Sequence, residues 1–288
     1  MEFTHLNKLY WPREKISKGD LIHYYESVAR YILPYLKNRP LVMRRFPNGI
    51  QGESFYQKDA GPHVPSFVKT KTVHHIERDI SYILVQDVQT LLYVANLGSI
   101  ELHPFHSRVQ ALEKPDYLIF DLDPEKIAFH RVVDAALAIH ELLEEIGVSS
   151  ICKTSGGTGL HIYVPLGAKC DYKQVKSFAG KVAAVVHERT SSFTSLARKP
   201  EKREKRVYLD TLQNAKGQTA ACVYSVRAKP GATVSTPLLW KEVKAGLDPS
   251  DFTIHTTLQR LSKRGDLFKA VLQKGIDLKA CLKKLDSL

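Results

Sequence analysis

The chain has 288 residues, which is long enough for a substantial core in one large domain or two closely packed lobes. Its composition, 43% apolar and 25% charged, excludes disordered and fibrous proteins. Lysine and arginine outnumber aspartate and glutamate by 42 to 30, so the formal charge is +12. Such a charge favours a polyanionic partner, with nucleic acid the first expectation.

Two classes of protein are disfavoured by what the sequence lacks. It contains no run of about 18 consecutive apolar residues, and its start, MEFTHLNKLYWPRE, has no apolar signal segment. We therefore expect a cytoplasmic protein that makes no membrane contact. The four cysteines show no C-x-x-C spacing, so the sequence predicts reduced thiols, with neither a zinc site nor a disulfide framework.

The first third of the chain predicts a mixture of helices and strands. Ser17 and Asp20 form a capping-box pattern, and apolar residues then recur at helical spacing as far as residues 34–37. Further runs predict strands at 41–46, 67–76 and 80–86 and a helix at 88–96.

From residue 117 the pattern of alternating strands and helices is clearer. The sequence predicts strands at 117–123, 149–154, 160–166 and 206–210 and helices at 129–146 and 172–188. Residues 198–206 hold six basic and two acidic side chains, which predicts an exposed, mobile loop that is either a solvated connector or a phosphate-binding segment. Beyond Gly231 we expect helices, one started by Pro237 and another capped by Ser250 or Asp251.

Two acidic residues end the strand YLIFDLDP. The strand period of two places Asp121 and Asp123 on one face, with Leu122 directed the other way. Close carboxylates repel unless a cation neutralises them, and hard oxygen ligands suit Mg²⁺ or Mn²⁺. Acidic pairs at this spacing also arise by chance, so the pair alone leaves metal binding as one of two interpretations.

A second apolar strand, RVYLD, also ends in an aspartate, Asp210. If the two strands are neighbours, Asp210 supplies a third carboxylate and a site for two metal ions becomes a reasonable hypothesis. Two ions about 4 Å apart can serve an in-line phosphoryl transfer. The alternative is that Asp210 is an ordinary residue at a strand end.

A glycine turn separates two of the predicted strands in KTSGGTGLHIYVPL. Backbone N–H groups of Ser155 and the following glycines would be able to approach phosphates there. Glycine turns in hairpins are commonplace, however, and the string matches neither a Walker P-loop nor a dinucleotide fingerprint. His161 on the next strand and His103 in ELHPF are equally ambiguous, because a lone histidine is usually structural.

Taken together, these strings resemble the polymerase domain of the bacterial DNA ligase D family, a member of the archaeo-eukaryotic primase superfamily that acts in non-homologous end joining. The resemblance runs in order through nearly the whole chain. It is carried by LNKLYWPREKISKGDLIHYYESVARYILPYL, LVMRRFPNGIQGESFYQK, NLGSIELHPF, FDLDP, TSGGTGLHIYVPL, YLDTLQNAKGQT and YSVRAKPGATVSTPL.

The resemblance implies a role for each residue that matches a family position. Asp121, Asp123 and Asp210 correspond to the catalytic, metal-binding carboxylates. The positions that surround the incoming nucleotide are His103, Ser155, His161, Gln213 and Arg227. Phe55 and Tyr56 match an aromatic pair near the template strand and nucleotide base, where stacking is expected, and Arg44 stands where relatives often have lysine.

Two further implications concern phosphate groups. Lys8 and Lys18 match lysines that bind a downstream 5′-phosphate, although as single residues they would be read as exposed lysines flanking a helix. Thr158 departs from the family, because many relatives place lysine or arginine in this glycine turn. The loop around Arg203 is a candidate to supply the missing nucleotide contact, and its length and charge differ from those of several relatives.

The resemblance also implies a fold and a function. The fold is α/β (α+β), a two-layer mixed sheet with an RRM-like primase-polymerase catalytic core flanked by helices. We expect one domain over residues 1–288, with an N-terminal lobe of about residues 1–115 packed on a catalytic core of about residues 116–288.

The implied activity is template-dependent addition of nucleotides, preferentially ribonucleotides, to DNA ends or gaps, with two Mn²⁺ or Mg²⁺ ions as cofactors. The implied partners are nucleoside triphosphates, DNA ends or a gapped duplex with a 5′-phosphate, Ku and a DNA ligase. Because no ligase or nuclease signature occurs, the chain is either a free-standing polymerase or a domain of a larger enzyme. Two alternatives are a non-catalytic DNA-end-binding module of the same fold and a metal-dependent phosphoesterase.

Overall fold

The structure is a computed structural model that describes residues 1–288. The chain forms two compact units, each assembled from separate stretches. The first unit contains residues 1–110, 219–236 and 250–266, and the second contains residues 111–218, 237–249 and 267–288. The first boundary lies close to the expected one near residue 115, but two later stretches that we assigned to the core group with the N-terminal residues. The expectation of a single domain stays a prediction.

Six α-helices and thirteen strands make up the regular structure. The helices are α1 (Lys18–Leu36), α2 (Val88–Asn96), α3 (Phe129–Glu145), α4 (Tyr172–Thr190), α5 (Ile254–Arg264) and α6 (Leu278–Leu285). The strands are β1 (Leu9–Trp11), β2 (Ile16–Ser17), β3 (Leu41–Arg45), β4 (Phe55–Gln57), β5 (Lys69–His74), β6 (Asp79–Leu84), β7 (Ser99–Pro104), β8 (Tyr117–Pro124), β9 (Ile151–Thr154), β10 (Leu160–Pro165), β11 (Thr194–Ser195), β12 (Val207–Asp210) and β13 (Pro237–Leu238). No helix is both long enough and apolar enough to cross a bilayer.

The first unit is built around α1 and a small antiparallel sheet. Ser17 and Asp20 form the expected capping box at the start of α1, which continues past Pro34 to Leu36. The helix tolerates Pro34 near its end because only one backbone hydrogen bond is lost there. The sheet has the order β4-β3-β7, and two further pairs, β1-β2 and β5-β6, form separate hairpins.

The second unit contains a six-stranded mixed sheet with the order β11-β12-β8-β10-β9-β13. Only β11 and β12 run parallel; the other neighbours are antiparallel. Helices α3 and α4 contact each other and β8. Along β8 the fully buried Leu118, Phe120 and Leu122 alternate with Asp121 and Asp123, as the strand period requires. This is the expected α+β class with a mixed sheet.

The sequence predictions fail mainly beyond Gly231. Pro237 does not start a helix, because it lies in the short strand β13 and pairs with β9. The cap of α5 is Thr253, whose side chain accepts from the Thr256 backbone N–H, in place of Ser250 or Asp251. The two errors have different causes. Pairing with β9, a distant segment, decides the strand at Pro237, whereas the cap is shifted locally, because Pro249–Asp251 form a 3₁₀ turn and Thr253 makes a capping box with Thr256.

Candidate functional site

Three aspartates and a histidine lie on one face of the six-stranded sheet. In the register of β8, Asp121 stands opposite Asp210 of β12 on one side and opposite His161 of β10 on the other. Directly opposed residues of antiparallel strands project to the same face, and Asp123 comes two residues after Asp121. The sheet therefore brings together four side chains that the sequence placed on three separate strands.

The charges of these carboxylates are not balanced within the group. Burial, followed by the neighbouring charges of Asp121 and Asp210, raises the pKa of Asp123 to about 6, against the opposing effect of His161 and Arg203. Burial also raises the pKa of Asp210, and Asp121 adds to this effect. Such mutual repulsion is relieved when a cation binds between the carboxylates.

A fully buried lysine contacts His161 on the side of the ring that faces away from Asp121. The Lys153 amino nitrogen, 0% exposed, lies 2.9 Å from Nδ1 of His161. The other ring nitrogen of His161, Nε2, is 3.2 Å from Oδ1 of Asp121. The contact with Lys153 thereby fixes the orientation of the His161 ring, a predicted nucleotide ligand.

The predicted glycine turn lies directly beside the carboxylate strand. Ser155 Oγ accepts hydrogen bonds from the backbone N–H groups of Gly157 at 3.0 Å and Gly159 at 3.1 Å, so the serine holds the turn together. Gly156 has φ of +72°, a conformation that favours glycine. A Cβ on Gly159 would lie 2.3 Å from the Leu122 carbonyl oxygen, so this position needs glycine for the backbones to approach.

The remaining predicted nucleotide ligands of the second unit flank β12. The guanidinium of Arg203 lies 4.0 Å over the ring of Tyr208 and donates to two backbone carbonyls of its own loop. Tyr208 in turn donates to Oδ1 of Asp210 at 3.4 Å. Gln213, half-buried, lies in the 3₁₀ turn Leu212–Asn214 that comes after β12. The loop at 198–206 is mostly exposed, as expected, yet its central arginine is anchored.

In the first unit, three predicted site residues surround a carboxylate that the sequence analysis did not select. Glu101 on β7 is 1% exposed. Its Oε2 lies 3.0 Å from Nε2 of His103 and 3.3 Å from Nε of Arg227. Its Oε1 lies 3.4 Å from a terminal guanidinium nitrogen of Arg44 and accepts from the Ala228 backbone N–H at 3.1 Å.

This group, the Glu101 cluster (Arg44, Glu101, His103 and Arg227), brings charges of opposite sign together. Burial alone would raise the pKa of Glu101, but the hydrogen bond from His103 and the charge of Arg227 outweigh it and lower the pKa to about 2. Burial lowers the pKa of His103, and Arg227 and Arg44 act in the same direction against Glu101. The carboxylate is therefore ionised, and the imidazole is held between it and the guanidinium groups.

The predicted template-facing aromatic residues lie on β4, next to β3. Phe55 and Tyr56 are exposed, 46% and 59% respectively, which is unusual for large aromatic side chains. The guanidinium of Arg45 lies 5.2 Å from the Phe55 ring centroid, and that of Arg44 lies 5.5 Å from the Tyr56 ring. The Tyr56 ring also meets His103 edge-on, at 5.9 Å between centroids. These contacts leave exposed aromatic rings that are suited to stacking.

The two predicted 5′-phosphate ligands lie close to each other. The Lys18 backbone N–H donates to the Lys8 carbonyl at 2.8 Å. The Lys8 ammonium donates to the Pro47 carbonyl and the Asn48 side chain, and the Lys18 ammonium donates to Thr4. Lys18 is only 4% exposed, so it is not the ordinary surface lysine that sequence alone would favour. Burial lowers its pKa, and Lys8 and Arg45 lower it further.

Residues 17–268 match the model of the family described as LigD, primase-polymerase domain. The chain belongs to this family. Membership confirms the predicted resemblance and the predicted enzyme class, a DNA-directed nucleotidyltransferase of the polymerase and primase type.

Individual relatives support the same assignment. The chain is 33% identical over 267 residues to the bifunctional non-homologous end joining protein LigD of Bacillus subtilis, covering 92% of this chain and 43% of the relative. It is 30% identical over 269 residues to the multifunctional non-homologous end joining protein LigD of Pseudomonas aeruginosa, covering 91% and 31%. The chain thus spans less than half the length of these curated LigD proteins.

A solved structure of the LigD family confirms the fold. The polymerase domain from Mycobacterium tuberculosis ligase D, in complex with DNA, superposes with a TM-score of 0.90 at 26% identity. The match covers 96% of this chain and 99% of the other. The expected α+β fold of a LigD polymerase domain is therefore correct.

The LigD family implies use of a divalent metal. No group of three or more His, Cys, Asp or Glu side chains is arranged as a ready-made metal cage. The donor set nevertheless fits, because three hard-oxygen carboxylates share one sheet face and the charge of Asp121 helps to raise the pKa of both Asp123 and Asp210. Asp121, Asp123 and Asp210 are the residues that would hold the metal.

Sequence reasoning missed two charged residues, Glu101 and Lys153, that contact predicted site residues. Glu101 shares a face with His103 through the strand period of two, and a charged residue inside the buried strand SIELHP was the available signal. Lys153 is a lysine in a short strand that ends at the glycine turn, and its alternation with Cys152 offered a weaker signal. Neither signal names the partner, which comes from another strand or loop.

Proposed function

We propose that the chain is a template-dependent repair polymerase that adds ribonucleotides to DNA ends or gaps in non-homologous end joining. The observation that carries this proposal is the convergence of Asp121, Asp123 and Asp210 on one sheet face. Two Mn²⁺ or Mg²⁺ ions bound there would activate the attacking hydroxyl and stabilise the departing pyrophosphate. The role in end joining is supported by the names of the LigD relatives.

The protein's own residues have distinct proposed tasks. His161, held by Lys153 on one side and lying 3.2 Å from Asp121 on the other, orients Asp121 and contributes to nucleotide binding. The family resemblance assigns nucleotide contacts to Ser155, Arg203 and Gln213, and also to His103 and Arg227. Guanidinium groups suit triphosphates because they donate in a fork. Phe55, Tyr56 and Arg44 contact the template strand.

The partners are inferred from this activity. We propose DNA ends and gapped duplexes with a 5′-phosphate as substrates, nucleoside triphosphates as co-substrates, and Ku and a DNA ligase as protein partners. The formal charge of +12 supports a polyanionic substrate. A cytoplasmic location is part of the proposal, because the DNA substrate lies there.

The test is incubation with a gapped, 5′-phosphorylated DNA, each ribo- or deoxyribonucleotide, and Mn²⁺ or Mg²⁺, followed by product sizing. Extension that is more efficient with ribonucleotides is the expected result. Binding without extension would favour a non-catalytic end-binding module, and cleavage would favour a phosphoesterase. Equal efficiency with both sugars at matched concentrations would contradict the ribonucleotide preference.

A matched carboxylate variant controls this experiment. Asp134 on α3 is exposed and pairs with Arg131 at 3.1 Å on the helix surface. Asp134→Asn removes the same charge from the same unit without touching the sheet face. It should extend DNA like the native chain, whereas Asp121→Asn should not.

A further inference from the structure

Glu101 is an acidic residue at a place where the protein is expected to bind an anion. The strand β7 is buried along its whole length, and Glu101 is ionised within it. Removing a carboxylate from water is costly unless several partners compensate. Its partners come from three places in the first unit: Arg44 of β3, His103 of β7, and Arg227 with Ala228 after residue 219.

The geometry fixes the orientation of each partner. An ionised carboxylate accepts only, so Nε2 of His103 must donate to it and the other ring nitrogen, Nδ1, is turned away from Glu101. Nε of Arg227 lies 3.3 Å from the same oxygen, so the carboxylate attracts the guanidinium through charge. The Ala228 N–H binds the second oxygen and prevents the carboxylate from rotating.

A purely structural role explains this arrangement poorly. Buried ion networks are often replaced by apolar residues of similar volume with little loss of stability, so stability alone gives no reason to keep one. All three side chains that Glu101 contacts are residues to which the family resemblance assigns nucleotide or template contacts. Tyr56, a fourth such residue, packs edge-on against His103 and lies beside Arg44.

We infer that Glu101 is a positioning residue that holds His103 and Arg227 ready for the incoming nucleotide and Arg44 ready for the template strand. This inference rests on the proposed nucleotide addition. Glu101 itself makes no contact with the nucleotide. By accepting from His103 and pairing with the charge of Arg227 before the nucleotide arrives, it lowers the cost of ordering them during binding.

The test is steady-state addition of ribonucleotides to gapped, 5′-phosphorylated DNA by the native chain and by Glu101→Gln, which keeps the shape and removes the charge. We expect KM for the nucleotide to rise on the order of tenfold while kcat changes by less than about threefold. A structural role would instead lower the fraction of active protein, and therefore the apparent kcat, with KM unchanged. That result would overturn the inference.

A double-variant comparison shows whether Glu101 acts through Arg227. Arg227→Lys, Glu101→Gln and the combined variant are measured in the same assay. If one residue works through the other, the combined rise in KM should be close to the larger single effect. A combined effect equal to the product of the single effects would contradict positioning of Arg227. Glu113→Gln, which removes an exposed carboxylate paired with Lys216, is the control and should behave like the native chain.

Failure of this inference can be distinguished from failure of the proposed function. If the native chain adds no nucleotide, the proposed function fails, and equilibrium binding of a fluorescent ribonucleoside triphosphate replaces turnover as the measurement. Glu101→Gln should then weaken binding by about the same factor. If Glu101→Gln does not fold, Glu101→Asp keeps the charge, shortens the side chain and should also raise KM. Unchanged KM and unchanged affinity in the folded variant would overturn the inference.

Discussion

The carboxylates of the second unit and the Glu101 cluster of the first unit show opposite ways of burying charge. The three aspartates repel one another, and the pKa of Asp123 rises to about 6. In the Glu101 cluster opposite charges meet, and the pKa of the glutamate falls to about 2. A group of like charges is incomplete without an ion of opposite sign, whereas in the Glu101 cluster the protein itself supplies the charges that attract the carboxylate. The first arrangement therefore indicates where a ligand binds, and the second indicates what holds binding residues in place.

The largest expected effect is the loss of nucleotide addition when one of the three aspartates is replaced. Asp121→Ala or Asp123→Ala should reduce nucleotide addition by roughly a thousandfold or more, because the metal is needed in the transition state. DNA affinity and the thermal transition should stay close to native. Rates are measured by product sizing, and affinity by titration of the gapped duplex. Extension by either variant at near the native rate would exclude these aspartates as metal ligands.

The next effect concerns stability in the Glu101 cluster. Glu101→Gln should lower the free energy of unfolding by about 2 kcal/mol at neutral pH, because the partly buried guanidinium groups of Arg44 and Arg227 lose their counter-charge. Urea denaturation of the native and variant chains measures the loss. An unchanged unfolding midpoint would show that the cluster contributes no net stability.

The difference in unfolding free energy between the native chain and Glu101→Gln should also depend on pH, in a direction that the pKa of Glu101 sets. The pKa of Glu101 is lower in the folded protein, about 2, than the ordinary 4.5. Its stabilising contribution is therefore fully present above pH 4.5 and lost as pH falls toward 2. The stability difference between the native chain and Glu101→Gln should shrink as pH falls from about 4.5 toward 2. A difference that grows over that interval would contradict this assignment.

A third group, Lys8 and Lys18, extends the comparison to like charges of positive sign. By the same reasoning it should receive an anion, and the resemblance implies the 5′-phosphate of a gap. Lys8→Ala with Lys18→Ala should weaken binding of the phosphorylated gapped duplex by about tenfold and lower the salt slope by roughly one unit. Duplex without the phosphate is the control. A variant that keeps the full preference for phosphate would rule out this pocket.

The smallest effect is a gain in stability. Asp123→Asn removes one of three mutually repelling charges, so in metal-free buffer it should raise the free energy of unfolding by about 1 kcal/mol. Thermal unfolding with a chelator measures this change. Asp134→Asn is again the control and should have almost no effect, because exposed ion pairs contribute little. Destabilisation by Asp123→Asn would show that the carboxylates are not repelling one another.

Much of the candidate site could be proposed from the sequence, because the family resemblance indicated candidate site residues that composition and periodicity do not identify. The residues alone gave Asp121 and Asp123 on one face, and left Asp210, His103 and His161 ambiguous. Of these, Asp210 and His161 are brought beside Asp121 by strand pairing. Glu101 and Lys153 could not be selected from the sequence. The role of a buried charged residue can be inferred only when its partner is known, and here that partner comes from another strand or loop.

The sequence by itself determined the features that depend on neighbours along the chain. The capping box of α1, the bounds of α2 and the shared face of Asp121 and Asp123 all arise from periods of a few residues. Tertiary structure alone decided the pairing of β12 with β8, the strand at Pro237 and the union of Arg227 with Glu101. The physical reason is that helices satisfy their hydrogen bonds locally, whereas strands and buried ions are completed by residues far away in sequence.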